Sequence, residues 1–216
     1  MKYCNVKLLR FLAIMNLDGV PRNLSEWVFP LAETETVIAV LKSTTSPIHN
    51  YRMMHQIIDY YGYSDDTSAN RAEFEKIIQV YFDSHALPDT ATRDMYIFSI
   101  VYDVAAKIAS NISFKMVADI IFKYANSLNQ QNSQGETPAH VFVKNSVLCS
   151  AHFFEILHMF NQHGANFTDI KDYAQKTVYD YIIDKAAGYL FSEQGVKDIS
   201  VLIIKEYLKS HGFIFN

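Results

Sequence analysis

The same arrangement of apolar residues ends four separate segments of this 216-residue chain. Each segment ends in a small residue, Ala86, Ala125, Gly164 or Gly212, and the positions eight, five and four before that residue are apolar. Offsets of three and four place side chains on one face of a helix. The buried stripes of four equivalent amphipathic helices are therefore predicted to consist of Ile78, Tyr81, Phe82, Val117, Ile120, Ile121, Ile156, Met159, Phe160, Ile204, Tyr207 and Leu208.

A fainter fifth copy, with Val37, Val40 and Leu41 ahead of Thr45, gives the series a period of roughly 40 residues. Helix-compatible runs lie between the copies at residues 51–61, 93–107, 138–145 and 178–190. Two helices per unit at this period predict a helical solenoid, in which each unit buries its apolar face against its neighbours. The small terminal residues suit a left-handed or tightly packed helix end, and glycine suits it better than alanine.

Composition agrees with an all-helical fold. Half of the residues are hydrophobic, 14 are Tyr and 15 are Phe, whereas only 7 are Gly and 5 are Pro. Such a chain can bury a substantial core, and the scarcity of turn residues favours long helices over strands. No apolar run approaches the roughly 18 residues needed to span a membrane. The run from Phe11 to Met15 is also too short for a secretory signal, so the mature chain is expected to start at Met1.

Charge and cysteine content bound the partners and the compartment. The formal charge of −4, without a run of Lys or Arg, gives no electrostatic footprint for nucleic acid or an anionic membrane surface. The two cysteines, Cys4 and Cys149, are too few to staple a chain of this size and are expected to be free thiols. These features predict a cytoplasmic protein.

The sharpest motif lies at residues 126–140, where an Asn-containing loop leads into Gly135, Glu136, Thr137, Pro138, Ala139 and His140. Gly135 permits a turn, Thr137 can cap the helix, and Pro138 fits the first helical position because its missing N–H costs nothing there. The segment resembles the opening of an ankyrin repeat. By this resemblance, His140 is expected to act as a hydrogen-bonding strut between neighbouring turns.

A second match follows at residues 163–166, His-Gly-Ala-Asn, which resembles the ending of an ankyrin unit. The next opening, at residues 172–180, keeps Thr177 but has Gln175, Val178 and Asp180 in place of Gly, Pro and His. Its cap geometry and hydrogen bonding are therefore open at this point.

The resemblance implies an all-α, helical-hairpin solenoid of about four to five ankyrin-like repeats over residues 47–216. Units longer than an ordinary ankyrin repeat predict extra loops at residues 145–151 and 188–195. Residues 1–46 are expected to form an N-terminal helical cap, with or without a degenerate first repeat, because terminal units need an atypical outer surface. A separate docking motif around Trp27 is the alternative.

The resemblance also implies a scaffold that binds a partner protein in a concave groove lined by loop tips and first helices. The residues predicted to be exposed there are Gln134, Glu136, Val141, Lys144, Asn145, Lys176, Tyr181, Asp184 and Lys185. Simple solubility is the alternative role for these side chains. A short stack of this kind further resembles ankyrin-containing effectors of intracellular bacteria, which would place it in a host cytosol.

No residue pattern indicates catalysis, a cofactor or a metal. The eight histidines lack the spacing of zinc ligands on one helix, and His85, His163 and His211 share a position just before a helix end. There they are expected to bond the last carbonyl groups or to interact with the helix dipole. Cys149 lies near His152 without a recognisable enzyme signature around it. The competing hypothesis is an enzyme or modifying effector whose active site lies in the irregular loops, with the repeats used for targeting.

Overall fold

The computed structural model describes residues 34–43, 47–83, 90–125, 128–146 and 152–190, together with residues 206, 209 and 210. All regular secondary structure in these residues is helical, and none of them belongs to a β-strand. The prediction of an all-α chain is confirmed at this level. None of the described helices is both long and apolar enough to cross a membrane.

The described residues form a series of helices along the chain. In chain order they are α1 (Thr34–Ser43), α2 (Pro47–Gly62), α3 (Ser68–Asp83), α4 (Thr90–Ser110), a 3-10 helix (Ile112–Phe114), α5 (Lys115–Tyr124), α6 (Pro138–Asn145), α7 (Phe153–Gln162) and α8 (Val178–Leu190). The four helices predicted between the apolar triplets are thus present as α2, α4, α6 and α8. The chain divides into two compact units, residues 1–100 and 101–216.

In the first unit, α1 packs against α3. The interface is apolar, with Leu41 of α1 and Phe74 and Ile77 of α3 at most 1 % exposed. At its edge the Lys76 ammonium contacts the Glu35 carboxylate, but both side chains are largely exposed. The apolar interface, rather than this surface ion pair, holds the two helices together.

The predicted apolar stripes form the helix cores wherever the structure describes them. The nine triplet residues of α3, α5 and α7 are each at most 4 % exposed. In the fainter copy on α1, Val37 and Leu41 are buried too. The fourth triplet, Ile204, Tyr207 and Leu208, lies outside the described residues, as do the predicted N-terminal cap before residue 34 and both cysteines.

The predicted helix ends differ between glycine and alanine. At the end of α7, Gly164 has φ +80°, and the N–H groups of Gly164 and Ala165 donate to the carbonyls of Asn161 and Phe160, each at 3.0 Å. This is the Schellman arrangement, which satisfies the last carbonyls of a helix. At the end of α5, Ala125 is instead extended (φ −68°, ψ 134°). A side chain at φ > 0 is costly, so alanine ends the helix without the left-handed residue.

The second unit has an aromatic core. The Phe160 ring lies 4.6 Å from that of Phe122 and 5.5 Å from that of Phe142, and Phe142 stacks on Phe153 at 5.6 Å. Contacts among α5, α6 and α7 therefore converge on Phe160. In the same unit α6 packs against α8, which brings the loop before each of these helices to the same end of the helix pair.

Candidate functional site

The loop before α6, residues 132–137 (loop A), is a tight turn organised by Asn132. Its side-chain oxygen accepts hydrogen bonds from the N–H groups of Gln134 (2.8 Å) and Glu136 (2.9 Å). The Asn132 N–H donates to the Glu136 carbonyl, and the Gly135 N–H donates to the Asn132 carbonyl. Gly135 has φ +76°, which glycine adopts without steric cost. One side chain and one glycine thus close the turn.

The loop before α8, residues 172–177 (loop B), makes the same bonds with different residues. The Asp172 Oδ1 accepts from the N–H groups of Ala174 (2.9 Å) and Lys176 (3.1 Å), and the backbone bonds of loop A are reproduced. Gln175 occupies the position of Gly135 and adopts φ +61°. The geometry left open by the loss of glycine is therefore preserved, although a non-glycine residue in this region costs roughly 1–2 kcal/mol.

Both helices begin with a reciprocal cap. In α6 the Thr137 Oγ1 accepts from the His140 N–H, and the His140 Nδ1 accepts from the Thr137 N–H at 3.1 Å. In α8 the Thr177 Oγ1 accepts from the Asp180 N–H at 3.1 Å, and the Asp180 carboxylate accepts from the Thr177 N–H at 2.8 Å. The predicted threonine cap is confirmed in α6. The carboxylate of Asp180 takes over the acceptor role of the imidazole, as glutamate does in a capping box.

One hydrogen bond joins loop A to loop B, and a second joins α6 to loop B. The Tyr173 N–H of loop B donates to the Gln134 carbonyl of loop A at 3.1 Å. The His140 Nε2 lies 3.2 Å from the Lys176 carbonyl. Because the Thr137 N–H can only donate and the Lys176 carbonyl can only accept, His140 is neutral with its proton on Nε2. His140 is thus the strut that the sequence predicted.

Burial holds His140 in this neutral form. The side chain is fully buried, and desolvation of the charged ring lowers the pKa of His140 below its ordinary value, although the Lys176 carbonyl opposes the shift. The Asp180 side chain, at the corresponding position of α8, carries no N–H with which to make the same link onward. The two caps therefore make the same bonds at the start of their own helices, but only the cap of α6 also bonds to the following loop.

A polar cluster, defined here as Glu136, Lys144, Asp172 and Tyr181, crosses from loop A and α6 to loop B and α8. The Lys144 Nζ lies 2.5 Å from the Glu136 carboxylate and 3.6 Å from that of Asp172. The Tyr181 hydroxyl donates a hydrogen bond to the same Asp172 oxygen, Oδ2, at 2.6 Å. One ammonium group and one phenol thus satisfy two carboxylates from different loops.

The charges of the polar cluster are stabilised although its two carboxylates are buried. Burial would raise the pKa of Glu136, but hydrogen bonds from Lys144 and Asn132 outweigh it and hold that pKa below its ordinary value. Burial likewise opposes ionisation of Asp172, and hydrogen bonds from Tyr181 and two backbone N–H groups lower its pKa. The hydrogen bond to Glu136 raises the pKa of Lys144. Both carboxylates are ionised and the lysine is charged at neutral pH.

The residues predicted to bind a partner fall into three groups. Gln134, Lys144, Asn145 and Asp184 are exposed, and Val141, Lys176, Tyr181 and Lys185 are half-buried. The prediction that Glu136 is exposed is wrong, because it is 6 % exposed. Lys144 and Asn132 draw its carboxylate inward, a long-range effect that its place in a loop does not reveal.

Three of the half-buried residues, Lys176, Tyr181 and Lys185, have structural contacts. The Lys185 Nζ donates to the Ser146 carbonyl at 2.8 Å, so it caps the end of α6 from α8. The ammonium groups of Lys144 and Lys176 lie 4.9 Å and 5.4 Å from the centre of the Tyr181 ring. Tyr181 is thus held by two cations and a carboxylate, which fixes its orientation on the surface of α8.

Sequence reasoning missed Tyr173, which is 75 % exposed at the tip of loop B. A Cβ atom added at Gly135 would lie 2.7 Å from the Tyr173 Cδ1, so the ring rests directly on that glycine. One face of the ring is supported by loop A and most of the side chain is open to solvent. The sequence could have indicated this residue, because aligning loop B with loop A places Tyr173 where loop A has Ser133.

Three of the described histidines, His152, His158 and His163, make hydrogen bonds to neighbouring side chains. The His163 Nε2 contacts the Asp119 carboxylate of α5 at 3.2 Å rather than the last carbonyls of its own helix. His152 contacts Glu155, and His158 contacts Gln162. No group of three His, Cys, Asp or Glu side chains in the described part of the chain is arranged to hold a metal ion. His85, His211 and most of the two extra loops lie outside the described residues.

Comparison of the chain with family models, with curated proteins and with solved structures found no match.

Proposed function

We propose that loop A, loop B, α6 and α8 belong to a divergent ankyrin-like stack that binds a partner protein through the loop tips and the adjoining helix faces. The observation that carries the proposal is the pair of loop–helix units with the same turn, the same reciprocal cap and a direct hydrogen bond between their tips, Tyr173 N–H to the Gln134 carbonyl. Such a rigid, repeated surface suits protein recognition, because little conformational entropy is lost on binding.

The chemistry of the loop tips also supports a binding role. Tyr173 presents a large aromatic side chain that is already held on Gly135, and tyrosine is enriched among the residues that dominate binding energy. Loop A, α6 and α8 also expose polar side chains, which can form the adaptable rim of an interface. The exposed residues of this surface are Gln134, Lys144, Asn145, Tyr173 and Asp184.

The proposal is tested by affinity capture from a cell lysate followed by mass spectrometry, comparing the wild-type chain with Tyr173→Ala. Tyr173 is preferred to Tyr181 and Lys185, because those two side chains also hold α8 in place. The matched control is Tyr63→Ala, which removes a tyrosine that is 73 % exposed in the other unit. Melting temperature and helicity of both variants are measured by circular dichroism.

A partner that is lost with Tyr173→Ala and retained with Tyr63→Ala, at unchanged melting temperature, is the expected outcome. Capture that is the same for the wild-type chain and both variants would remove the loop tips from the binding surface. The proposal would then have to be abandoned in its present form.

A further inference from the structure

A cavity of about 200 Å³ lies in the second unit at the other end of α6 from loop A. It opens between the last turn of α4, the end of α6 and the start of α7. Its floor is formed by four apolar side chains that are each at most 4 % exposed: Ile108, Phe142, Phe153 and Ile156. The cavity is therefore half-open to solvent, and its floor belongs to the same core that holds the unit together.

The volume and the lining limit what can bind. Apolar cavities of about 150 Å³ in protein cores stay dry and accept benzene, whereas drug-sized ligands occupy sites of about 300–1,000 Å³. A site of this size therefore admits one ring. The aromatic floor, with Phe142 and Phe153 stacked at 5.6 Å, favours an aromatic ring over an aliphatic group because ring pairs gain energy beyond area burial.

Two groups at the rim keep unused hydrogen-bonding capacity. The Asn111 Oδ1 accepts from the Ser113 N–H at 3.0 Å, while the amide nitrogen of Asn111 has no partner among the described residues. The His152 Nδ1 lies 3.1 Å from the Glu155 carboxylate, whose pKa is lowered by Lys115 and by His152 itself. An ionised carboxylate only accepts, so the His152 Nδ1 carries the proton and Nε2 stays available.

We propose that this cavity binds a small aromatic molecule of the phenol class, with the ring on the apolar floor and its single polar group at the rim. A hydroxyl can accept from the Asn111 amide and donate to the His152 Nε2 in place of the water that solvates these partly exposed groups, whereas a bare hydrocarbon can do neither. The site is independent of the loop-tip surface and does not depend on the proposed protein binding.

The test uses phenol and benzene as probes and observes the δ1-methyl signals of Ile108 and Ile156 in the full chain by ¹³C NMR. Phenol is expected to shift both methyl signals in a saturable manner, with a Kd of about 1 mM or below. Benzene is expected to bind up to about tenfold more weakly, because the loss of one hydrogen bond raises the dissociation constant by up to about that factor. The methyl signals are assigned by Ile→Val substitution.

Two variants separate this site from nonspecific partitioning. Ala109→Leu places a larger side chain into the lining and is expected to weaken phenol binding at least about tenfold, as filling the space removes the site. Ala106→Leu, on the same helix and equally half-buried but outside the lining, is the matched control and is expected to bind phenol as the wild-type chain does.

If Ala109→Leu fails to fold, Asn111→Ala provides the second arm. It is expected to reduce the preference for phenol over benzene, with His152 as the remaining partner of the hydroxyl, and to leave benzene binding unchanged. The proposal is overturned if neither methyl signal shifts at millimolar phenol, if Ala106→Leu weakens binding as much as Ala109→Leu does, or if Asn111→Ala leaves the preference for phenol intact.

Discussion

Replacing Lys144 with Met tests whether the polar cluster stabilises the second unit. The substitution keeps most of the apolar stem but removes the only ammonium group that contacts both carboxylates in the described structure. Loss of one partner from a fully buried ion pair costs about 3–5 kcal/mol, and loss from an exposed pair costs less than about 1 kcal/mol. Glu136 and Asp172 are 8 % and 2 % exposed at the side chain, whereas Lys144 is 36 % exposed.

The expected loss lies between these limits. Water can reach the lysine side of the cluster, and the carboxylates retain hydrogen bonds from Asn132, from Tyr181 and from backbone N–H groups. We therefore expect Lys144→Met to lower the free energy of unfolding by about 2 kcal/mol at neutral pH. Urea denaturation followed by circular dichroism measures this loss, provided that the slope of the transition stays unchanged.

The pH dependence of this loss has a definite sign. The pKa values of Glu136 and Asp172 are lowered in the folded chain. Their stabilising contribution is therefore present above the unfolded-state pKa of about 4 and is lost as pH falls through the lower folded-state values. Without Lys144 the folded-state pKa values rise. The loss caused by Lys144→Met should thus be largest near neutral pH and shrink as the carboxylates become protonated.

The control is Lys76→Met, which removes one partner of the exposed ion pair with Glu35 in the first unit. It is expected to change stability much less than Lys144→Met, because both of its groups stay hydrated. The reasoning is refuted if the two substitutions have equal effects at neutral pH. It is also refuted if the loss from Lys144→Met grows, rather than shrinks, as the pH is lowered.

Three further predictions concern the loops and the strut. Gln175→Gly should raise the free energy of unfolding by up to about 1 kcal/mol in urea denaturation, since φ +61° strains glutamine and not glycine; a lower stability would contradict the strain. Gly135→Ala should lower it by at least about 2 kcal/mol, because the new Cβ lies 2.7 Å from the Tyr173 ring and φ is +76°; a neutral result would exclude that contact. The third prediction rests on the pKa of His140, which is lowered in the folded chain. The stabilising contribution of the neutral side chain is present above the unfolded-state pKa of about 6.5, and it is lost as the pH falls from there through the lower folded-state pKa. His140→Gln should therefore show a smaller fall in melting temperature between neutral and mildly acidic pH than the wild-type chain, and an equal fall would assign the effect to other groups.

Much of the helical layout follows from the sequence because it depends on local periodicity. The apolar offsets place α3, α5 and α7 correctly, since a helix buries every third or fourth residue regardless of what lies opposite. The strut role of His140 also follows, from its place in a recognised motif. By contrast, the burial of Glu136 depends on Lys144, eight residues away, and on the approach of loop B. Tertiary contacts of this kind leave no periodic signal.

Loop B and the start of α8 show why residue identity alone is a poor guide to local geometry. Loop B and α8 have Asp172, Gln175 and Asp180 in place of the Asn, Gly and His of loop A and α6, yet each replacement supplies the required acceptor or backbone angle. Asn and Asp both offer a side-chain oxygen to two N–H groups. His and Asp both accept from a threonine N–H. What changes is the outward link, since only the imidazole can also donate.

Two charged positions differ together between the loop A–α6 element and the loop B–α8 element. Glu136 and Lys144 form an ion pair in loop A and α6. At the corresponding positions of loop B and α8, Lys176 and Asp184 form an ion pair with the signs exchanged. A comparison by residue identity counts two differences, whereas the interaction between the positions is the same attraction. Exchanging both signs preserves the pair, but exchanging one would place like charges together. The two loop–helix elements therefore share a set of contacts rather than a set of residues, and replacing one member of an ion pair requires a matching change in the other.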